Sequence, residues 1–323
     1  MKQYKVAIIG NGMICNAAHI PAYKAMGDKV KIVAVADIRE EAAKETAERH
    51  GIPKYYVDPY KMLEEEKPDI ISVCTPNAYH KEYTLAGFRV GCHVVCEKPV
   101  AVTCADAEEM FNAAEKAGKH LFVIQSLRFT GNFKAAAGLA KSGCLGDIYY
   151  ADLNLVRRRG VPRWGMFHMA KENVGGAFCD LGVHMCDYLM SISGNPKMVS
   201  VSGSAVTRIV NKEKNIEFSN AESGAPTGLF TPRKFDMKEF DVEEFANGYI
   251  RLENGMTVTF KISWALNLPN SNTVSICGDK GGLTIGDDGL KLLTTQGNYQ
   301  ADVLPRVFPD PYTELSDFTG HIH

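Results

Sequence analysis

The stretch Lys5-Val6-Ala7-Ile8-Ile9-Gly10-Asn11-Gly12-Met13-Ile14-Cys15 decides the fold of this 323-residue chain. A short, mostly apolar strand runs directly into a Gly-x-Gly turn and the start of a helix. Gly10 permits the tight turn, and Gly12 lets the backbone approach a pyrophosphate, whose charge the helix N-terminus favours. A second apolar strand, Val30–Ala36, follows the helix and ends in Asp37. This order of strand, turn, helix, strand and acid predicts a dinucleotide-binding unit.

The acidic residue after the second strand bears on which dinucleotide is bound. Asp37 lies 25 residues past Gly12, where a carboxylate can accept hydrogen bonds from the adenosine ribose hydroxyls. It would repel a 2′-phosphate, which favours NAD, whereas Arg39 nearby leaves NADP open as an alternative. Cys15 replaces the third glycine of the usual motif and is small enough for close helix–strand packing. We expect the cofactor contacts here to be Gly10, Gly12, Met13, Ile14 and Asp37.

Apolar strands and helices alternate from the N-terminus to about residue 126. This alternation predicts an α/β domain with a doubly wound parallel sheet of the Rossmann type, covered by helices on both faces. Three predicted strands end in the polar segments Thr75-Pro76-Asn77, Glu97-Lys98-Pro99 and Gln125. Ligands of such sheets bind outside the carboxyl ends of the strands, so all three segments are candidate cofactor contacts. Each segment alone is also compatible with an ordinary polar turn.

The second half of the chain, from residue 127 to residue 323, has a different pattern of secondary-structure elements. Its strand-like segments are joined mostly by turns, and Asn254-Gly255 is a strong hairpin signal. The predicted strands are 147–156, 197–207, 246–253, 256–265, 272–277, 282–285 and 290–294. We therefore predict a second, α+β domain with a mainly antiparallel sheet that is open on one face. Residues 208–240 are polar and rich in Gly, Pro and charge, which indicates a long excursion from this sheet.

One helix in the second half carries ionisable side chains on an otherwise apolar surface. Gly175-Gly176 precede it, and it is predicted to extend to about Ser193. Asp180, His184 and Asp187 are spaced three and four residues apart and so share one face of the helix. Buried ionisable groups need partners, and such a group of three indicates a cleft with proton-transfer chemistry. The alternative is a polar stripe that faces solvent or satisfies a hydrogen bond in the core.

The composition excludes several classes of protein. With 45% hydrophobic and 23% charged residues, the chain is typical of a soluble globular protein of two domains. A net charge of −2 provides no basic surplus for nucleic acid. No apolar run is long enough to span a membrane, and the N-terminus does not resemble a signal peptide. The nine cysteines contain no Cys-x-x-Cys pair, so neither a disulfide framework nor a metal site is indicated, and we expect a cytoplasmic protein.

Taken together, these motifs resemble those of the Gfo/Idh/MocA family of NAD(P)-dependent oxidoreductases, over nearly the whole chain. The resemblance is carried by Thr75-Pro76-Asn77 with His80, by Glu97-Lys98-Pro99, by the helix after Gly175-Gly176 and by Ser263-Trp264-Ala265. It implies that the catalytic residues are Lys98, Asp180 and His184. It also implies cofactor contacts for Glu97 at the nicotinamide ribose and for Asn77, His80, Arg163 and Trp164. Relatives pack subunits through the open sheet face, which implies a homodimer or homotetramer.

The function expected from the resemblance is oxidation of a secondary hydroxyl of a sugar or polyol by NAD. His184 would take the hydroxyl proton as general base, and Lys98 would donate a hydrogen bond to the same oxygen. Asp180 would orient the imidazole or bind a neighbouring hydroxyl. These three residues would touch the substrate, and the further candidates for sugar contacts are Tyr149, Arg157 and Trp164.

Several alternatives remain open at this point. Lys98 can belong to a structural ion pair, and Asp180 can be an ordinary helix N-terminal charge. The whole chain can be a sensor that binds dinucleotide without chemistry. It can also be a glycosidase that uses tightly held NAD transiently. A pure sensor has no need for Lys98 and His184 together, which favours the enzyme.

Overall fold

The computed structural model describes residues 2–212, residue 223 and residues 228–307, which form two sheets and the helices packed on them. The first sheet is wholly parallel and has the strand order β3-β2-β1-β4-β5-β6. Its strands are β1 (Tyr4–Ile9), β2 (Val30–Ala36), β3 (Tyr55–Tyr56), β4 (Ile70–Val73), β5 (His93–Cys96) and β6 (Leu121–Val123). The predicted doubly wound Rossmann arrangement is therefore confirmed.

The helices of the first half lie between these strands. They are α1 (Ile20–Ala25), α2 (Glu40–His50), α3 (Pro59–Glu66), α4 (His80–Arg89) and α5 (Cys104–Ala117). Local sequence sets their ends. Asp58 accepts hydrogen bonds from the backbone N–H groups of Tyr60 and Lys61 at the start of α3, and Gly51 and Gly118 end α2 and α5 in the left-handed conformation. A π-helical turn, Cys15–His19, precedes α1.

The position of β1 explains why the Gly-x-Gly turn lies in the middle of the domain. β1 pairs with β2 on one side and with β4 on the other, and its residues Val6, Ala7, Ile8 and Ile9 are all buried. The order of the strands along the chain reverses between β1 and β4. In open parallel sheets this switch point is where ligands bind.

The second sheet has the order β14-β13-β12-β11-β7-β10-β9-β8. Its strands are β7 (Ile148–Val156), β8 (Met198–Val206), β9 (Phe245–Leu252), β10 (Thr257–Ser263), β11 (Ser271–Gly278), β12 (Gly282–Gly286), β13 (Gly289–Gln296) and β14 (Tyr299–Val303). All neighbouring pairs are antiparallel except β7 and β10, which are parallel. The predicted mainly antiparallel sheet is confirmed, and β14 is an additional strand that the sequence did not predict.

The two faces of this sheet differ in polarity. Apolar side chains such as Leu153, Phe260 and Val274 face α6 (Gly131–Lys141) and α8 (Val183–Ile192) and form the core of the second half of the chain. A short helix, α7 (Ala170–Asn173), precedes α8. On the alternate positions of the same strands, the Thr259 hydroxyl donates to Asp152 at 2.5 Å and bonds to the Tyr150 hydroxyl at 2.8 Å. This face of the sheet therefore carries polar side chains, in contrast to the apolar face under α6 and α8.

Two further predictions concern the domain boundary and the excursion from the second sheet. The predicted boundary between residues 126 and 127 lies in the short 3-10 turn Ser126–Phe129 and stays a prediction. The predicted excursion 208–240 lies partly outside the described residues, which cover only 208–212, 223 and 228–240 of it. Among the described residues, none of the helices has the length and apolar character needed to cross a membrane.

Candidate active site

The two glycines of the dinucleotide turn have different structural roles. Gly10 has φ of +91°, and a Cβ atom there would lie 2.6 Å from the carbonyl oxygen of Cys74 at the end of β4. Only glycine fits this position, because both the backbone conformation and the close approach exclude a side chain. A Cβ at Gly12 would meet no described atom within 4 Å. The space above Gly12 is therefore open, as a turn that accommodates a pyrophosphate requires.

Asp37 organises the same turn from the end of β2. Its Oδ2 accepts a hydrogen bond from the backbone N–H of Asn11 at 2.8 Å, and its Oδ1 accepts one from the backbone N–H of Arg39 at 2.9 Å. Arg39 Nε lies 3.7 Å from Asp37 Oδ1. A carboxylate has about four lone-pair sites, so these contacts leave capacity for the hydroxyls of a ribose. Asp37 thus shapes the turn and can also bind the cofactor that the turn would hold.

Buried polar atoms at the carboxyl edge of the parallel sheet test whether a dinucleotide fits. Asn11 Oδ1, Thr75 Oγ1 and Gln125 Oε1 are buried and have no hydrogen-bond partner among the described residues. They follow β1, β4 and β6, so all three lie at the edge where ligands of such sheets bind. Because buried polar groups are normally satisfied, their arrangement fits a polar cofactor. Met13 and Ile14 are half-buried at the start of the following helix.

His80 fixes the relation between two of the strand-end segments. It is fully buried, with Nδ1 2.8 Å from the carbonyl oxygen of Pro99 and Nε2 2.9 Å from the carbonyl oxygen of Thr75. The peptide bond between Lys98 and Pro99 is cis. Burial lowers the pKa of His80, and the two carbonyl oxygens oppose that shift. Both ring nitrogens are engaged by backbone, so His80 holds these segments in place and does not itself reach toward a cofactor.

Glu97 belongs to a buried polar network that reaches back to α1. Its Oε1 lies 2.9 Å from His19 Nε2, and His19 Nδ1 lies 3.1 Å from Ser72 Oγ, which also bonds to the Tyr23 hydroxyl at 2.7 Å. Glu97 Oε2 accepts a hydrogen bond from the backbone N–H of Lys98 at 3.2 Å. The network fixes the position of the Glu97 carboxylate at the end of β5. The sequence analysis assigned no role to His19.

Lys98 and Asp180 form an ion pair between the two halves of the chain. Lys98 Nζ donates to Asp180 Oδ1 at 3.0 Å and to the backbone carbonyl oxygen of Asp180 at 2.8 Å. The side chains are only 15% and 13% exposed, so the pair is shielded from most of the solvent. Lys98 follows β5 at the carboxyl edge of the parallel sheet. The pair therefore brings the helical segment of Asp180 to the edge where the cofactor would bind.

Asp180 is held as a carboxylate by further groups from the second sheet. The indole N–H of Trp264 donates to Asp180 Oδ2 at 3.0 Å, and the charge of Arg157 lies near the same carboxylate. Burial alone would raise the pKa of Asp180. The charges of Lys98 and Arg157 and the hydrogen bonds from Lys98 and Trp264 outweigh burial and lower the pKa. Burial also lowers the pKa of Arg157, and the Asp180 charge opposes that shift.

The glycines before the helix of Asp180 allow a carboxylate to cap its N-terminus. Glu243 accepts hydrogen bonds from the backbone N–H of Gly176 at 2.8 Å and of Phe178 at 2.9 Å. A Cβ at Gly176 would lie 1.9 Å from the backbone carbonyl oxygen of Glu243, so only glycine fits there. A carboxylate in this position satisfies N–H groups that have no partner within the helix and favours its dipole. The segment that carries Asp180 is thereby fixed.

The polar stripe predicted on this helix is divided between two environments. Asp180 lies in a π-helical turn, Phe178–Gly182, and His184 is half-buried in the first turn of α8. Asp187, one turn further, accepts two hydrogen bonds from Arg128, at 2.5 and 2.6 Å. The guanidinium of Arg128 thus satisfies the Asp187 carboxylate, and the shared role of the three residues in one cleft stays a prediction.

The remaining predicted contacts are placed as follows. The Asn77 side chain donates to the backbone carbonyl oxygen of Asn173 at 3.0 Å, which joins the first sheet to α7. Arg163 lies over the Phe235 ring at 5.3 Å, and Trp164 Nε1 is buried without a hydrogen-bond partner among the described residues. Tyr149 is 57% exposed and lies at the start of β7, about 26 Å along the strand from Arg157 at its end. Tyr149 and Arg157 therefore lie at opposite ends of β7, too far apart to contact the same sugar ring, and the role of each as a sugar contact stays a prediction.

A glycine-rich turn at the switch point of an open parallel sheet is typical of dinucleotide-binding proteins, and the Lys98–Asp180 pair lies at the same edge of that sheet. Comparison with known families identifies the particular family. Residues 4–125 match the oxidoreductase family described by its NAD-binding Rossmann fold, and residues 133–284 match the GFO/IDH/MocA C-terminal domain. The chain therefore belongs to the Gfo/Idh/MocA family of oxidoreductases, and its N-terminal domain is an NAD-binding Rossmann fold.

Individual relatives and solved structures agree with this assignment. The chain is 35% identical over 283 residues to D-glucoside 3-dehydrogenase of Escherichia coli, covering 87% of this chain and 76% of the relative. It is 30% identical over 190 residues to myo-inositol 2-dehydrogenase of Thermotoga maritima, covering 59% and 55% of the two chains. Levoglucosan dehydrogenase in complex with NADH has the same fold, with a TM-score of 0.78, 21% identity and coverage of 98% and 83%.

Proposed function

We propose that this protein is an NAD-dependent dehydrogenase that oxidises a secondary hydroxyl of a sugar, glycoside or polyol. The observation that carries the proposal is the Lys98–Asp180 pair, which holds a lysine ammonium at the carboxyl edge of the dinucleotide-binding sheet. Two relatives support the substrate class, because one is named as a dehydrogenase of a glucoside and the other as a dehydrogenase of an inositol. The half-buried Arg157 beside the pair adds a guanidinium that can bind two sugar oxygens.

Lys98 can act as the hydrogen-bond donor to the reacting oxygen without leaving Asp180. An ammonium has three N–H groups, and the two hydrogen bonds to Asp180 use two of them. The third can stabilise negative charge that develops on the substrate oxygen as its proton leaves. Asp180 then serves to hold Lys98, because its two carboxylate oxygens are bound to Lys98 and Trp264.

His184 is the proposed general base. It lies four residues after Asp180, on the turn that follows the Lys98 contact, and an imidazole can accept the hydroxyl proton at neutral pH. Bound NAD supplies the hydride acceptor at nicotinamide C4. The groups that would hold NAD are the Gly10–Gly12 turn, Asp37 and the polar side chains at the ends of β4, β5 and β6. Trp164 and Arg163 are proposed to complete the site from the second domain.

We also propose that the open face of the second sheet packs against a second copy of this chain. The bonded cluster of Tyr150, Asp152 and Thr259 lies in the middle of this face and is half-buried before any partner is added. A Thr259→Arg substitution would place a bulky charge in its centre. Light scattering should then report a smaller mass than for the unaltered protein. An equal mass would exclude this face as the interface.

The proposed function is tested by a panel of sugars, glycosides and polyols with NAD and with NADP, following the absorbance of the reduced cofactor. We expect net NADH formation with at least one secondary-alcohol sugar, and methyl β-D-glucopyranoside is the first to be tried. Sugar release from a glycoside without net NADH would instead identify a glycosidase. Tight NAD binding with no turnover of any compound would identify a sensor.

A further inference from the structure

We propose that Trp264 is a positioning residue, which fixes the Asp180 carboxylate and through it the Lys98 ammonium. The inference deepens the proposed function, since it concerns how the donor of that reaction is held. Trp264 directly follows β10, 84 residues from Asp180 in sequence, and its indole N–H is bonded to Asp180 Oδ2 at 3.0 Å. None of the family motifs that indicate the catalytic residues assigns a role to this N–H group.

The indole is itself held rigidly. Trp264 has no exposed surface, its backbone N–H donates to the carbonyl oxygen of Glu244 at 2.8 Å, and its carbonyl oxygen accepts from Gly160 at 2.7 Å. The Phe240 ring packs against it edge-on, with ring centres 6.4 Å apart. A fully packed side chain with both backbone groups bonded cannot turn away from its partner. Its N–H therefore points at one fixed position.

The carboxylate of Asp180 needs such a fixed partner. The terminal torsion of an aspartate side chain is broad, so one bond to Lys98 alone would let the carboxylate plane rotate. With Oδ1 bound to Lys98 and Oδ2 bound to Trp264, the plane is defined. The third N–H of Lys98 is then directed to one place, where the substrate oxygen would react. A displacement of a reacting group by about 1 Å is enough to slow an enzyme substantially.

Trp264 can alternatively be a core residue whose N–H bond is incidental. The substitution Trp264→Phe separates the two interpretations, because it keeps an aromatic ring in the core and removes only the donor and part of the ring. As a packing control we choose Phe240→Leu, which loosens the neighbour of the indole and leaves the N–H bond in place. Both variants are expected to lose some stability, but only Trp264→Phe is expected to change the position of the Lys98 ammonium.

The first measurement does not depend on activity. The chain has two tryptophans, so Trp164→Phe leaves Trp264 as the only one and its fluorescence can be followed alone. We expect the emission maximum to shift when Asp180→Asn neutralises the carboxylate bonded to the indole, and also when Lys98→Met removes the opposing ammonium. Phe240→Leu in the same background should leave the response to Asp180→Asn intact. An emission maximum of Trp264 that is unchanged by both Asp180→Asn and Lys98→Met would overturn the proposal.

The second measurement is a double-mutant cycle on turnover, with methyl β-D-glucopyranoside or the panel sugar that reduces NAD. Trp264→Phe should lower kcat about 10-fold, as expected for loss of a hydrogen bond to a charged group, while the KM for NAD stays unchanged. In a Lys98→Met background the same substitution should cost nothing further, because its effect acts through Lys98. Phe240→Leu should cost the same factor in both backgrounds. Equal losses from Trp264→Phe in both backgrounds would contradict the positioning role while leaving the proposed function intact.

Discussion

Lys98 Nζ lies 3.0 Å from Asp180 Oδ1 and 2.8 Å from the backbone carbonyl oxygen of the same residue. The ammonium thus binds both the side chain and the backbone of one residue that is 82 positions away in sequence. Neither half of the chain forms this arrangement alone, because Lys98 follows a strand of the first sheet and Asp180 belongs to the second half. The proposed catalytic group is therefore complete only when the two domains are packed together.

The two glycines of the dinucleotide turn allow cofactor binding to be separated from folding. Gly12→Ala should change the free energy of unfolding by less than about 0.5 kcal/mol, because its Cβ meets no described atom within 4 Å. It should weaken NAD binding by at least about tenfold, or 1.4 kcal/mol, because the methyl group occupies the space of the pyrophosphate. Urea unfolding and calorimetric titration with NAD measure the two effects.

The control for this prediction is Gly10→Ala. It should destabilise the fold by more than about 2 kcal/mol, because Gly10 has positive φ and its Cβ would overlap the backbone of Cys74. If Gly12→Ala binds NAD normally, the pyrophosphate does not lie over this turn.

Asp37 should determine the choice between NAD and NADP. We expect NAD to bind at least about tenfold more tightly than NADP, and Asp37→Ser to narrow that difference by admitting a 2′-phosphate beside Arg39. The same substitution should also weaken NAD binding, since it removes the acceptor for the Asn11 N–H group. Titration with both cofactors checks both effects. Equal affinities in the unaltered protein would exclude this role for Asp37.

His184→Ala should lower turnover about 10²- to 10⁴-fold, the usual contribution of a general base, and leave NAD affinity nearly unchanged. His120→Ala is the matched control, because His120 is exposed near the start of β6 and stacks on His93. Steady-state kinetics and NAD titration of both variants measure the effects. A collapse of NAD binding in His184→Ala would assign the residue a structural role.

The Asp180 ion pair should make stability depend on pH. The pKa of the Asp180 carboxyl is lowered in the folded protein. The ion pair therefore contributes stability that is fully present above the unfolded pKa of 3.8 and is lost as the pH falls through the folded pKa. Asp180→Asn should therefore cost stability at pH 7, and the difference from the unaltered protein should narrow progressively as the pH falls below 3.8. Urea unfolding across this range tests the prediction. A difference that stays constant with pH would mean that the charge of Asp180 contributes nothing.

The sequence predicts local structure and motif chemistry here, but it does not contain the contacts between distant residues. Val30–Ala36 has its predicted bounds, because a continuous apolar run is a local signal. The Trp264–Asp180 hydrogen bond and the Glu243 cap each join residues more than 60 positions apart. No local sequence pattern around Trp264 or Glu243 predicts these contacts. A strand pattern also does not indicate that Tyr149 and Arg157 lie at opposite ends of β7.

Strand topology in the second half was also only partly predictable. Turn-connected strands suggest antiparallel neighbours, and β9 and β10 form the hairpin that Asn254-Gly255 indicates. β7 and β10 are far apart in sequence, and no short motif predicts that they pair in parallel. The partner of Asp187 was unpredictable for a similar reason. Its partner, Arg128, lies 59 residues away, in the turn that joins the two domains.

The central claim is that Lys98 acts on the reacting oxygen and is not merely one half of a structural ion pair. Lys98→Met keeps the aliphatic stem and removes the donor. Lys81→Met is the matched control, because Lys81 forms an ion pair with Asp106 at 2.7 Å, outside the proposed site. Both variants are loaded with NAD, whose affinity is measured by calorimetry.

The decisive measurement is the single-turnover rate of NADH formation when each NAD-loaded protein is mixed with the panel sugar. We expect Lys98→Met to bind NAD as tightly as the unaltered protein and to form NADH about 10²- to 10³-fold more slowly, the cost of losing one donor to a developing oxyanion. Lys81→Met should react at the normal rate. A Lys98→Met protein that binds NAD and reduces it at the normal rate would contradict the account.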